Sequence, residues 1–246
     1  MPDLEHTLSR ILKKFERRAS LQDADRSAFL DLPFRLRTTD HHQYIVREGD
    51  LTSECCLIVN GFAYRQKTTA DGARQILSVH MAGDFVDLEA ALLRRADHNI
   101  QALTRCDIAM VPASAIRTLL RERPLIAEAM WVDTLIDAAI FREWLLNVGQ
   151  RDARARIAHL LCEFAKRLEL AGLGSEEGYD FPLTQEQLGD ATGLTPVHVN
   201  RTLKVLDAEK LITRTRRTIR ISDWKRLRDV AGFSELYLHL DQLEPN

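Results

Sequence analysis

The sequence predicts an α+β chain in three parts: an N-terminal antiparallel β-roll preceded by helices, one long helix, and a C-terminal helix-turn-helix followed by a short hairpin. Three observations carry that reading. Turn glycines recur at Gly49, Gly61, Gly72 and Gly83, separated by 12, 11 and 11 residues, a spacing that suits short strands winding into a roll. A heptad-like apolar seam then runs from Pro124 to about Gln150. Finally, two capped helices lie between Leu183 and Leu206, with a basic, alternating stretch behind them. The boundaries that follow are 1–123 for the roll with its N-terminal helices, 124–150 for the long helix and 151–246 for the last domain.

Each element has its own signal. Leu4, Leu8, Ile11, Leu12 and Phe15 recur at helical spacing, and a second short helix is expected around Asp23 to Leu30. From Arg35 to Val111 the apolar runs Tyr44 to Val46, Leu57 to Val59, Phe62 to Tyr64, Ile76 to Val79 and Ile108 to Val111 alternate with glycine turns. Gly49-Asp50, Asp71-Gly72 and Gly83-Asp84 are turn formers, because glycine accepts a positive φ and aspartate bonds the local backbone. In the long helix Leu125, Ala129, Val132, Ile136 and Ala139 step by 4, 3, 4 and 3 residues, and the seam continues through Glu143 to Leu146. Trp131, Leu135, Ile140, Trp144 and Leu145 make a second apolar flank. A helix with two such flanks needs two surfaces to cover them, so a homodimer is expected, with Ala129, Val132, Ile136, Ala139 and Leu146 as its interface. Ile157, Leu160, Leu161 and Phe164 mark the next helix, and Gly172 to Gly178 reads as an exposed loop.

Composition bounds the function. The 246 residues are 45% hydrophobic and 28% charged with a net charge of -2, which fits a globular chain and excludes a globally basic one. No run approaches the length of a membrane span and the N-terminus lacks a signal peptide's pattern, so the expected place is the cytoplasm, away from any membrane. Cys55, Cys56, Cys106 and Cys162 form no Cys-x-x-Cys pair and read as buried thiols, with Cys55 and Cys56 on opposite faces of a strand. The eight histidines show no metal-ligand spacing. No nucleophile elbow, phosphate-cradling loop or metal pair is present, which argues against an enzyme. No cofactor and no metal are expected.

The chemistry concentrates in Leu183 to Leu206. Thr184 with Gln187 forms a Thr-x-x-Gln capping box, Gly193 breaks the first helix, and Thr195-Pro196 supplies an N-cap and first-turn proline for the second. On the second helix Val199, Leu203 and Leu206 share one face, and Val197, Arg201, Lys204 and Ala208 share the opposite one, with His198 and Asn200 at its flank. An exposed apolar group, an arginine and a lysine suit a thymine methyl, a guanine edge and phosphates. Arg201, Lys204, Lys210, Arg214, Arg216, Arg217 and Arg220 face only Asp207 and Glu209 in that stretch, so the basic patch is regional. One charge run alone is ordinarily a solvated face; the capped helices, glycine turn and basic hairpin together point past that.

With these residues in hand, the chain from about Arg35 to Ser222 resembles the Crp/Fnr superfamily of bacterial transcription regulators. The resemblance rests on Arg47-Glu48-Gly49-Asp50, Val59-Asn60-Gly61, Asp71-Gly72 and Gly83-Asp84-Phe85 in the roll, and on Gly193-Leu194-Thr195 through Val199, Arg201, Thr202 and Leu203. It implies a cyclic-nucleotide-binding-like β-roll, a dimer helix and a winged helix-turn-helix that binds double-stranded DNA with a twofold operator, with RNA polymerase as a further partner. By the likeness Arg201 matches the family's base-reading arginine. Val197, His198, Asn200 and Arg201 are the expected base contacts, and Thr184, Gln185, Thr195, Lys204, Arg214, Arg216 and Arg217 the phosphate contacts. Two positions depart from the pattern: Val197 stands where a glutamate is usual, and Asn200 where serine or glycine is.

The sensor departs further. Asp87-Leu88 replaces the Gly-Glu pair that holds the ribose in cyclic-nucleotide-binding members, and Ala96-Asp97 or His98-Asn99 replaces the Arg-Ser pair that holds the phosphate. Arg94 and Arg95 are the nearby cations, while Asp87 and Asp97 would repel a cyclic phosphate. The expected effector pocket is Val86, Asp87, Leu88, Glu89, His98 and Asn99; the roll either senses an unidentified small molecule that is not cyclic AMP or has lost ligand control. The iron-sulfur branch's N-terminal cysteine cluster is missing, since the first cysteine is Cys55; His80 or His98 is the residue a haem would use. The alternative is a sensor module whose helical tail contacts protein instead of DNA, which an absent or salt-insensitive mobility shift would favour.

Overall fold

A computed structural model of the chain describes residues 4–174, 178–215 and 218–240. Two compact units divide them. The first takes in the chain up to Lys67, Leu77–Ala139 and the stretch from Leu238; the second takes in Thr68–Ile76 and Ile140–Tyr237.

The first unit begins with α1 (Leu4–Glu16) and α2 (Asp23–Leu30). Seven strands follow, the end of β4 and the start of β5 counting with the second unit: β1 (Arg35–Thr39), β2 (Tyr44–Val46), β3 (Glu54–Asn60), β4 (Phe62–Thr68), β5 (Arg74–Met81), β6 (Asn99–Ala102) and β7 (Cys106–Pro112). They form two sheets, in the orders β1-β7-β3 and β2-β6-β4-β5. The five apolar runs of the sequence fall inside β2, β3, β4, β5 and β7. Two strands carried no such run: β1 is largely exposed, and β6 (Asn-Ile-Gln-Ala) buries polar Gln101 beside Ile100.

Strand β3 organises this unit because it is buried on both sides. Cys56 and Ile58 enter the core between the sheets with Ile100, Ala102, Ile108 and Met110. Their neighbours Cys55, Leu57 and Val59 point the other way, into a second core with Leu8, Ile11, Phe15 and Phe29 of the first two helices. The paired cysteines therefore do lie on opposite faces, and burial pushes the Cys55 thiol up to about 12. Helix α3 (Ala113–Glu122), which the sequence reading does not foresee, closes the second core with Ile116 and Leu119.

Helix α4 spans Pro124–Gln150, the limits that the apolar seam predicts. Its first half belongs to the first unit, where Ile126, Ala129 and Met130 enter the helical core. Asp133 pins it to α1: Lys14 Nζ lies 2.8 Å from Asp133 Oδ1, and Arg18 makes a further contact. Burial raises the Asp133 carboxyl, but these two cations outweigh it and hold it below the usual range.

The division of α4 between inside and outside corrects the sequence reading. Ala129, Ile136 and Ala139, expected at a dimer interface, are buried within their own chain. Val132 is half-buried, and of the five only Leu146 is exposed. The uncovered face instead carries Trp131, Leu135, Phe141, Leu145 and Leu146. Trp131, Leu135, Ala138, Arg142 and Leu145 step along it by 4, 3, 4 and 3, the same period displaced around the helix. Apolar spacing alone fixes the period of both flanks and leaves open which one the chain covers.

The second unit is built on α5 (Ala153–Leu170), capped by Asp152. Beside it lie α6 (Gln185–Thr192), α7 (Pro196–Ala208) and α8 (Trp224–Ala231), the last not foreseen from sequence. A small antiparallel sheet orders β8 (Tyr179–Asp180), β10 (Thr218–Ile221) and β9 (Ile212–Arg214) as β8-β10-β9. The last two strands are the expected hairpin, with Ile219 opposite Arg214 and Ile221 opposite Ile212. Within this unit Trp144 Nε1 donates to both Glu163 oxygens at 3.0 and 3.1 Å, and the Tyr237 hydroxyl donates to Glu163 Oε2 at 2.8 Å.

Two roll glycines share a backbone conformation and differ in surroundings, which makes a test. Gly61 and Gly72 have φ of 89° and 90°; a Cβ on Gly61 would sit 2.4 Å from the Arg105 carbonyl oxygen, whereas Gly72 has open space. Gly72→Ala should cost about 1–2 kcal/mol from φ alone, and Gly61→Ala more by roughly 1–3 kcal/mol because backbone must move. Equal losses in denaturant melts would contradict the packing described.

Candidate nucleic-acid interface

The sequence forms α6 and α7 by local means. Thr184 Oγ1 accepts from the Gln187 amide at 3.2 Å while Gln187 Oε1 accepts from the Thr184 amide at 2.9 Å, completing the capping box. Gly193 ends the helix in the left-handed region, with φ 67°. Thr195 caps α7 by accepting from the His198 amide, and Pro196 occupies its first turn. Sequence reasoning missed Gly189. It stands inside α6 because the turn folds back on it: a Cβ there would lie 2.4 Å from the Leu194 carbonyl oxygen. A glycine in mid-helix is the signal that could have revealed it. Arg156 Nη1 donates to the Thr192 carbonyl at 3.0 Å and braces the turn from α5.

The helix faces come out as the spacing requires. Val199, Leu203 and Leu206 are buried. Val197, Arg201, Lys204 and Ala208 are exposed together, Val197 at 81%. Among the described residues no carboxylate lies within ion-pairing distance of Arg201, Lys204 or Arg214. Glu209, a nearby acid, pairs with Arg154 instead. His198 and Asn200 are half-buried at the edge of this face, where Asn200 Nδ2 donates to Gln185 Oε1 at 2.9 Å. Two expected DNA contacts therefore hold each other and tie α6 to α7. Arg214 is half-buried on β9; Arg216 and Arg217 lie outside the described residues.

Residues 155–230 match the Crp-like helix-turn-helix domain and residues 36–123 the cyclic nucleotide-binding domain. The chain belongs to the Crp/Fnr family. It is similar to the transcriptional activator protein FnrL of Cereibacter sphaeroides, 27% identical over 85% of this chain and 86% of that one. It is also similar to the nitrogen fixation regulation protein FixK of Rhizobium meliloti, 28% identical over 76% and 83%. The solved structure of FixK2 from Bradyrhizobium japonicum superposes with a TM-score of 0.76 at 22% identity, over 82% of this chain and all of that one, which establishes the fold. As a Crp/Fnr member the chain is a DNA-binding transcription regulator, not an enzyme.

In the Crp/Fnr sensor the expected pocket residues do not form one set. Val86 is buried in the inter-sheet core, and its carbonyl, Glu89 and His98 gather round Arg65 of β4, a residue the sequence reading passed over. Leu88 packs against the helical core. Asn99 turns aside to accept from the Glu48 amide at 3.0 Å. Asp87 is corrected most. It is buried, and its Oδ1 accepts from the Cys56 amide at 2.6 Å. It therefore holds the backbone of β3 instead of presenting charge to a ligand. His80 is buried, 2.7 Å from the Ser78 hydroxyl, and among the described residues no group of three ligating side chains could hold a metal ion.

Burial raises the Asp87 carboxyl to about 7, the Glu89 charge adding to the rise while the Cys56 amide bond and Arg65 oppose it. Because the folded value lies above the unfolded one, the stability that protonated Asp87 contributes is complete below about pH 4 and fades as pH rises through 7. Asp87→Asn should match the wild type near pH 4 and exceed it at pH 8 by up to about 4 kcal/mol. Denaturant melts at both pH values check this; identical pH dependence in the two proteins would contradict it.

Proposed function

We propose that the chain works in the cytoplasm as a homodimer that reads a twofold DNA operator with α7, under an effector that is not cyclic AMP or cyclic GMP. The three parts of the chain, 1–123, 124–150 and 151–246, serve as sensor, dimer helix and DNA-binding domain. RNA polymerase is the further partner of a regulator that activates. One observation carries the reading: Val197, Arg201 and Lys204 stand uncovered on one face of a helix whose start is fixed by a cap, a proline and a close-packed turn.

On this reading α7 enters the major groove with Arg201 donating to a guanine edge and Val197 against a neighbouring base. His198 and Asn200 touch bases at the margin, Asn200 exchanging its Gln185 bond for DNA. Lys204, Gln185, Thr184, Thr195, Arg214, Arg216 and Arg217 hold phosphates. Each capping threonine accepts from an amide and keeps its own O–H to donate. Selection from a randomised operator library separates the two kinds of contact. Arg201→Ala should cost roughly 1–3 kcal/mol and relax preference at one base pair, while Arg214→Ala should weaken all sequences alike and lower the salt slope by about one. An unchanged sequence preference and affinity for Arg201→Ala would refute the assignment.

The second copy of the chain covers the exposed face of α4. The observed burial distinguishes two adjacent positions: Leu135 is 53% exposed and Ile136 is 9% exposed. Leu135→Glu should leave a folded chain that sediments as a monomer. Ile136→Glu should instead destabilise the chain's own fold by roughly 3–5 kcal/mol, since it buries an unpaired charge. A Leu135→Glu protein that remains a dimer would remove this face from the interface.

A further inference from the structure

The Arg65 guanidinium, on β4, is held by several acceptors at once. Its side chain is only 18% exposed, and its three nitrogens bond in three directions. Nε donates to His98 Nε2 at 3.0 Å, Nη1 to Asp137 Oδ2 at 3.0 Å, and Nη2 to the Val86 carbonyl at 2.9 Å. Glu89 Oε1 lies 3.6 Å from Nη2. Because His98 accepts at Nε2, its proton sits on Nδ1, which donates to Asp97 Oδ1 at 2.6 Å. Lys67, two residues along the same strand, donates to the Asp97 carbonyl and to Glu48, both at 2.6 Å. Neutral imidazole, carboxylates and a carbonyl are all acceptors, so the chemistry of this cradle is that of a site for a planar cation with forked donors.

Val86, Glu89 and His98 come from the segment expected to hold the effector, and Asp137 comes from α4. A small molecule shifts α4 only if it binds two states of the sensor with different affinity, and a bridge between that segment and the helix supplies such a difference. Arg65 already is that bridge. We propose that Arg65 is a tethered effector: a guanidinium supplied by the chain itself fills the sensor site, joins it to α4 through Asp137, and keeps the regulator competent to bind DNA with no diffusible ligand. Since the group is covalently attached, occupancy does not depend on any cellular concentration. This rests on the regulator reading above and adds the ligand class to it: guanidinium or amidinium cations, with cyclic phosphates excluded.

The test uses the full-length protein, freed of small molecules, as wild type, Arg65→Ala and Asp137→Asn. Hydrogen exchange of the α4 amides around Asp137 is the first measurement, and affinity for the selected operator the second. Wild type should bind the operator with nothing added. Both variants should exchange faster at these amides by roughly tenfold or more and bind the operator more weakly. Millimolar ethylguanidinium should reverse both effects in Arg65→Ala, and sodium chloride at equal ionic strength should not. Should Arg65→Ala fail to fold, Asp137→Asn, which keeps the other Arg65 bonds, decides by the same two measurements. Unchanged exchange and affinity in the folded variants, or a wild type that binds DNA only after a small molecule is added, would overturn the proposal. Altered exchange in a protein whose wild type binds no DNA at all would instead overturn the regulator reading and, with it, the effector role of Arg65.

Discussion

A 27-residue helix with apolar side chains on opposite sides has two surfaces to remove from water, and one chain covers only one of them. That imbalance in α4 is the constraint on which the other features depend. Its inner face is fixed by Ala129 and Met130 in the helical core and by Lys14 and Arg18 on Asp133. The outer face, with Trp131, Leu135 and Leu145, is more exposed apolar surface than a solitary helix in water ordinarily keeps. On the proposed reading a second copy meets the requirement, and a twofold protein in turn would present two recognition helices to a twofold operator.

The same economy of means governs the DNA-binding unit, where short-range signals do the positioning. Caps at Thr184 and Thr195, the left-handed Gly193 and the missing side chain of Gly189 shape the junction of α6 and α7 through residues a few positions apart. Packing of Val199, Leu203 and Leu206 then turns Val197, Arg201 and Lys204 outward. The sensor is organised in the opposite way, through long-range pairings: Asp87 with Cys56, and Arg65 with His98 and Asp137.

This contrast explains what was legible in the sequence. The limits of α4, the two caps and the outward face of α7 are readable because each is written in residues a few positions apart. Strand β6 was not, because its buried Gln101 accepts from the Tyr64 hydroxyl across the sheet and so reads as polar until the partner is known. The end of α7 carries no glycine; Lys210 takes the left-handed conformation there, with φ 58°. The bond of Asp87 and the contacts of Arg65 involve residues tens of positions away, and periodicity has no access to those. Arg65 in particular lies in a strand whose pattern gives no hint that its guanidinium meets Asp137 on α4.

The central claim is that two copies place two α7 helices in successive major grooves. All four native thiols are buried, so a cysteine at exposed position 197 can be labelled selectively. Val197→Cys carrying an iron chelate should cleave the selected operator in two clusters centred about one helical turn, roughly 10 base pairs, apart, each on the major-groove face. A single cluster, or uncleaved DNA in a complex shown to be bound, would contradict the account.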